Sequence, residues 1–152
     1  MTRLLKIFGI LILLLLFFGI PLKLYFNRNT KSYNNQNIYF EHFNVSFSGI
    51  VKDKEQVSNG AGIVTLDIIT SSVKEYDVRD EYETYLCVIK NDIAEVIMNR
   101  LFLIQLDDSL VIDSKRKKMD LFRNSSLKES WDFQLPTNAT FFYTFARWKH
   151  KL

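Results

Sequence analysis

The sequence contains only one cysteine, two histidines, two prolines and five glycines in 152 residues. A single cysteine excludes a disulfide within the chain, so the folded part depends on its hydrophobic core. Two histidines and one cysteine leave little room for a zinc site, which needs three or four ligands, and no spacing of these residues indicates a hydrolytic triad. We therefore expect a protein that is not an enzyme and that binds no cofactor and no metal ion.

An excess of positive charge is also missing from most of the chain. Arg3, Lys6 and Lys23 account for the formal net charge of +3, so residues 27–152 are neutral as a whole. Domains that bind nucleic acids usually carry a basic excess. We expect no nucleic-acid partner.

The strongest positive signal is an apolar run from residue 7 to residue 22, which resumes after Lys23 and continues to residue 26. A helix over residues 7–26, rising ~1.5 Å per residue, matches a hydrocarbon core of roughly 30 Å. The run is longer than the apolar region of a signal peptide, and no A-x-A cleavage pattern follows it. The sequence therefore predicts a retained membrane anchor over residues 1–26, with the membrane as a partner through residues 7–26.

The charges beside this run do not decide its orientation. Three positive groups stand on each side, the α-amine, Arg3 and Lys6 before the run and Lys23, Arg28 and Lys31 after it. A short charged tail before a long apolar run is the usual layout of a signal anchor, which places the C-terminal domain outside the cytoplasm. The bias towards Lys, Asn, Ile and Phe favours a bacterial origin, so we expect a single-pass protein of the bacterial cytoplasmic membrane.

The remaining chain divides into a linker and a domain. Residues 27–37 are rich in asparagine and lack aliphatic side chains, so they predict a flexible tether. Residues 38–152 alternate polar and apolar side chains with a period of two and are interrupted by frequent turn signals. This pattern predicts an all-β domain, a single small barrel or sandwich of about eight strands, preceded by one N-terminal transmembrane helix.

Turn-forming residues locate the expected strands. Asn91 and Asp92 join residues 85–90 to residues 93–98 in a tight hairpin, and Cys87 is expected to be buried there as a small hydrophobe. His42 is expected on the surface of a strand, and residues 73–83 form an acidic loop or one helical turn. The other expected strands cover residues 43–51, 64–68, 101–106, 110–112, 119–123, 131–135 and 140–148.

One segment carries a resemblance to known proteins. Residues 104–123 contain Asp107-Asp108-Ser109, a strand, a basic loop and a second strand that ends at Phe122-Arg123. This order resembles a degenerate form of a pattern in small bacterial membrane-anchored or lipid-anchored β-domain proteins, where a Gly-Asp-Ser turn leads to a strand, a basic loop and an aromatic-ended strand. Asp107 stands where that pattern has glycine. The resemblance implies a β fold and an envelope location, and it brings no active residue.

The densest run of charge is the basic loop, Lys115, Arg116, Lys117 and Lys118. Such a loop can lie on anionic lipid headgroups, at about 1 kcal/mol per basic residue near the surface, or on an acidic partner. A hairpin loop whose charges discourage edge-to-edge pairing of strands has the same sequence. The sequence leaves both interpretations open.

These observations predict a membrane-anchored, extracytoplasmic binding or accessory module of the cell envelope, with a protein partner there. One alternative is an envelope hydrolase that uses the carboxylates of residues 73–83, including Asp77, Asp80, Glu81 and Glu83. Another is a structural subunit of a membrane complex. Carboxylates that converge in a cleft would favour the hydrolase.

Overall fold

A computed structural model describes residues 2–58, 60–82 and 84–136, and the chain divides into two compact units, residues 1–34 and residues 35–152. One helix, α1 (Thr2–His42), forms the first unit and enters the second, and Pro21 lies inside it. Across the part of the chain that the structure describes, no helix combines the length and the apolar character needed to cross a membrane.

The helix corrects two expectations. Residues 27–37, expected as a flexible tether, are helical, and His42, expected in a strand, is the last residue of α1, where its Nδ1 lies 2.8 Å from the Ile38 carbonyl oxygen. Asparagine is a weak helix former, but tertiary packing of an apolar face stabilises helices more than propensity does. Tyr39, which is only 1% exposed, supplies that packing in the final turns.

Seven antiparallel strands form one open sheet in the second unit. The strands are β1 (Phe47–Ser58), β2 (Ala61–Ser71), β3 (Cys87–Lys90), β4 (Ile93–Met98), β5 (Ser109–Asp113), β6 (Lys118–Arg123) and β7 (Ser126–Asp132). Their order across the sheet is β3-β4-β2-β1-β5-β6-β7. The all-β class is confirmed for this unit, but the described strands form a single unclosed sheet and not the expected barrel or sandwich.

Tight turns set the hairpins. Asn91 and Asp92 have φ angles of 53° and 60°, the left-handed conformation that a two-residue hairpin turn requires, and β3 pairs with β4 around them as predicted. Asn124 and Ser125, with φ angles of 51° and 61°, join β6 to β7 in the same way. Asparagine tolerates this conformation better than most residues, which is why the first of these turns is readable from the sequence.

Several strand boundaries differ from those expected. The first strand begins at Phe47 because the chain leaves α1 at His42 and buries Phe43 and Val45 before it joins the sheet. Residues 101–106 form a short 3-10 helix, Leu101–Leu103, followed by a turn, and β7 begins at Ser126. Residues 73–83, within their described part, are a loop that touches the sheet at one bridge, Tyr76 with Ile89. The expected strand at 140–148 lies outside the described residues.

The start of β1 and β5 bury alternate side chains, as a period of two requires, whereas β2, β3 and β4 bury consecutive side chains, so both faces of the sheet are covered there. Aromatic rings from the end of α1 and from the segments after β2 and β7 pack against one another, namely those of Tyr39, Phe43, Tyr76, Tyr82 and Phe133. Cys87 is fully buried, as predicted, and burial raises the pKa of its thiol, so the unreactive thiol form persists.

Candidate functional site

A groove of about 560 Å³ opens at the end of the sheet where β1 begins and where β2 and β5 end. Ser and Thr side chains make up half of its lining, and we call it the hydroxyl groove. Its lining residues are Asn44, Ser46, Phe47, Ser48, Thr70, Ser71, Ser72, Val111, Ile112, Asp113, Ser114 and Lys115.

Strand register brings the hydroxyls of β1 and β2 together. Ser48 lies directly opposite Thr70 in the antiparallel pair, and directly opposite residues share one face of a sheet. The Ser48 Oγ and Thr70 Oγ1 atoms are 2.8 Å apart, a good hydrogen bond. Val111 of β5 is the opposite neighbour of Ser48 on its other side, so this face continues into β5.

The chain that leads into β1 ties the other hydroxyls to the groove. The Ser46 backbone N–H donates to Ser72 Oγ at 3.0 Å, and the Ser72 N–H donates to the Ser46 carbonyl oxygen at 2.9 Å. The Ser114 N–H donates to Ser46 Oγ at 3.0 Å, and the Ser46 and Ser114 hydroxyl oxygens are also 3.0 Å apart. Residues distant in sequence therefore hold one rim in place.

Some hydroxyl groups of the groove keep an O–H donor that the protein does not use. Each of the two hydroxyl pairs uses one O–H group and leaves one unused, while Ser72 Oγ and Ser71 Oγ accept backbone N–H groups, the latter from Val73 at 3.2 Å. A serine hydroxyl has one O–H to donate. Among the residues that the structure describes, these O–H groups have no protein acceptor, so the groove presents donors to whatever enters it.

The charged residues of the groove also favour a ligand that accepts hydrogen bonds. Asp113 is the one carboxylate in the lining. Its Oδ1 accepts the Lys115 and Arg116 backbone N–H groups, each at 3.0 Å, and its Oδ2 accepts Arg116 Nε at 2.6 Å. The hydrogen bond from the Arg116 guanidinium group holds the pKa of Asp113 below its ordinary value. Lys115 thus lines a groove whose carboxylate is already neutralised.

The structure separates the four members of the basic loop. Arg116 reaches Asp113 and also Asp120, both at 2.6 Å, and Lys118 lies 3.4 Å from Asp132. Lys115 lines the hydroxyl groove, and Lys117 occupies the left-handed position of the turn with φ of 54°. Carboxylates therefore face two of the four cations, which leaves Lys115 and Lys117 as the members with no carboxylate partner in the described chain.

The carboxylates of residues 73–83 do not assemble a hydrolytic site in the described part of that loop. Asp77 forms an ion pair with Arg79, whose Nε lies 2.8 Å from Asp77 Oδ1, and none of the described carboxylates of this loop lines the hydroxyl groove. Over the described residues, no three His, Cys, Asp or Glu side chains gather to hold a metal ion.

The segment that carries the family resemblance has a structural role in this fold. Asp107 has φ of 66°, the left-handed conformation that glycine adopts most readily and that Asp also tolerates, so Asp can stand where the pattern has glycine. The Asp108 carboxylate accepts hydrogen bonds from Arg123 Nε and Nη2, both at 2.7 Å, and from the Gln105 backbone N–H at 2.8 Å. The turn is thereby fastened to the end of β6.

Sequence reasoning predicted Lys115 through the basic loop, but it missed the serines and threonine of the groove. They lie in Ser46-Phe47-Ser48 and in Thr70-Ser71-Ser72, at the ends of neighbouring strands. Only the pairing of β1 with β2 shows that these two short clusters meet. Comparison with protein-family models, with curated proteins and with solved structures finds no match for this chain.

Proposed function

We propose that this protein is a single-pass membrane protein of the bacterial cell envelope whose β domain is a binding module, with the hydroxyl groove as its ligand surface. The observation that carries the proposal is the groove, a concavity in which Ser and Thr are half of the lining residues, with unused donors, one available cation and no second carboxylate. This combination favours the binding of a ligand over acid–base chemistry, because the Asp113 carboxylate is already engaged by Arg116 and by two backbone N–H groups.

The membrane part of the proposal is supported by the apolar run and by exposed side chains of α1. Between residues 17 and 25 large apolar side chains are more than half exposed, at Phe17, Phe18, Ile20, Leu22, Leu24 and Tyr25. Apolar surface of this extent on a helix indicates contact with lipid or protein. Anchoring through residues 7–26 would cover it with lipid, and the layout of a short charged tail before a long apolar run, rather than the balance of flanking charges, favours a domain outside the cytoplasm.

Extraction from membranes tests the anchor. The full-length protein is expected to stay with the membrane after washing with carbonate or with high salt, because an apolar span and not charge retains it. Release by carbonate would refute the anchor. Protease added to spheroplasts is expected to digest the C-terminal domain, and protection until lysis would reverse the orientation.

A cysteine introduced into the groove tests the ligand surface. Cys87 is fully buried and contributes little background to labelling by maleimide. Ser71→Cys places a thiol in the groove, and Ser126→Cys places a matched thiol on exposed β7, away from it. In intact spheroplasts with added envelope material, maleimide labelling of Ser71→Cys is expected to fall while that of Ser126→Cys stays constant. Equal labelling of both variants would contradict a ligand in the groove.

A further inference from the structure

We propose that the ligand of the hydroxyl groove carries a phosphate group, held between the Lys115 ammonium group and two O–H donors, the one that the Ser48–Thr70 pair leaves unused and that of Ser72. This inference rests on the proposed function, because it names the chemistry of the ligand for the same groove. It also gives the first residue of the basic loop a role distinct from that of its neighbours.

The balance of hydrogen-bond donors and acceptors in the groove favours a phosphate group as the ligand. The groove offers O–H groups and one ammonium group, while its carboxylate, Asp113, is occupied by Arg116. A ligand with acceptors and negative charge therefore matches the unused O–H groups and the ammonium group. Phosphate supplies both, with strong acceptor oxygens and a charge of about −1 to −2 near neutral pH, and hydrogen bonds from a charged donor to it are among the stronger ones.

The lining argues against a neutral sugar as the main ligand. Sugars commonly stack on exposed aromatic rings, but the aromatic residue of the lining, Phe47, is only 3% exposed. Its ring belongs to the core and offers no platform. The directional interactions that the groove offers are hydrogen bonds and charge, which again favours an anionic ligand with several oxygens.

Two sources share this chemistry, the headgroup of a phospholipid and a soluble phosphate ester. Glycerol 3-phosphate is the soluble probe, and phosphatidylglycerol mixed into non-ionic detergent micelles is the lipid probe. The full-length protein in the same micelles is titrated with each probe, and the backbone amide signals of Ser46, Ser48 and Lys115 are followed by NMR. Glycerol without phosphate is the matched control ligand.

Saturable shifts at these amides with a phosphate probe, and none with glycerol, support the proposal. Shifts with glycerol 3-phosphate indicate a soluble ester, and shifts with phosphatidylglycerol alone indicate a headgroup. An absence of shifts with both phosphate probes overturns the phosphate inference. Maleimide protection of Ser71→Cys would still stand in that case, so failure of this inference is distinguishable from failure of the proposed function.

A pair of loop variants tests whether the groove or the whole loop binds phosphate. Lys115→Ser and Lys117→Ser remove the same charge from the same loop, but only Lys115 lines the groove. Lys115→Ser is expected to raise the dissociation constant for the phosphate probe at least about tenfold, because it removes a charge-assisted hydrogen bond. Lys117→Ser is expected to raise it by less than about twofold. Lys115→Arg is expected to restore most of the affinity. Equal weakening by both serine variants would overturn the proposal in favour of diffuse attraction by the loop.

Discussion

Two arginine–aspartate clusters occupy opposite ends of the β5–β6 hairpin, and they differ in how much water reaches them. At the open end, the side chain of Asp108 is 2% exposed and that of its partner Arg123 is 30% exposed. At the loop end, the Arg116 side chain is 53% exposed and that of Asp113 is 27% exposed. The distances are similar, 2.7 Å and 2.6 Å, so geometry alone does not rank the two ion pairs.

The difference in burial decides what each cluster contributes. Water and salt screen an exposed ion pair, so its contribution to stability is small. In the interior, loss of one partner leaves the other group poorly solvated, which is strongly destabilising. Arg123 also donates to the Leu103 carbonyl oxygen at 3.0 Å, so the pair at the open end joins the turn, the 3-10 helix and β6. We infer that Asp108 stabilises the fold and that Arg116 shapes the loop beside the groove.

The largest expected effect follows from Asp108→Ala. The variant removes the acceptor of two Arg123 hydrogen bonds and of the Gln105 backbone N–H. We expect the free energy of unfolding to fall by about 2–3 kcal/mol, because the variant removes a buried charged acceptor while Arg123 still reaches water. Denaturant unfolding of the full-length protein in non-ionic micelles, followed by tryptophan fluorescence, measures the change. A loss no larger than that of Asp113→Ala would refute the ranking of the two clusters.

Acid is expected to weaken the same pair. The hydrogen bonds from Arg123, which outweigh the effect of burial, hold the pKa of Asp108 below its ordinary value, so this group favours the folded state when it is ionised. Its contribution is fully present above the ordinary aspartate pKa of ~3.9, falls as the pH decreases from there, and is lost below the lowered native pKa. A series of unfolding curves from neutral to acidic pH measures this loss. The decline should be shallower in Asp108→Asn, and an unchanged slope would assign the acid sensitivity to other carboxylates.

An intermediate effect is expected at Asp120, which connects the loop end to β7. Burial raises the pKa of this carboxyl, but hydrogen bonds from Ser130 and Arg116, each 2.6 Å long, outweigh burial and lower it. Asp120→Ala removes both bonds, but its partners reach water more easily than Arg123 does. We expect a loss of about 1–2 kcal/mol in the free energy of unfolding. A loss equal to that of Asp108→Ala would show that the two ends of the hairpin do not differ.

The smallest effect on stability is expected at Asp113. We predict that Asp113→Ala changes the melting temperature by less than about 2 °C, because its partner Arg116 is solvent-exposed and retains its ion pair with Asp120. The same variant adds uncompensated positive charge beside Lys115, so the affinity for glycerol 3-phosphate should rise. Thermal unfolding and the amide titration measure the two quantities on one sample. A lower affinity would indicate that Asp113 orients the loop for binding.

Local signals in the sequence predicted those parts of the fold that neighbouring residues control. The Asn91-Asp92 turn, the alternation at the start of β1 and the burial of Cys87 each depend on a few adjacent residues, and the structure bears them out, whereas β2 buries four consecutive residues at its start. Residues 27–37, predicted as a tether, are helical, and Tyr39 just beyond them packs into the core. A composition rule applied to residues 27–37 contains no information about that contact.

The sequence by itself determined the all-β class, the apolar run at the N-terminus and the charge of the basic loop, since each is a property of consecutive residues. Only the tertiary structure decided that Ser46 meets Ser114, that Ser48 meets Thr70 and that Asp108 binds Arg123. These pairs are separated by 68, 22 and 15 positions in the chain. Their contacts depend on strand order and register, which arise from how the whole hydrophobic face is buried and not from any local propensity.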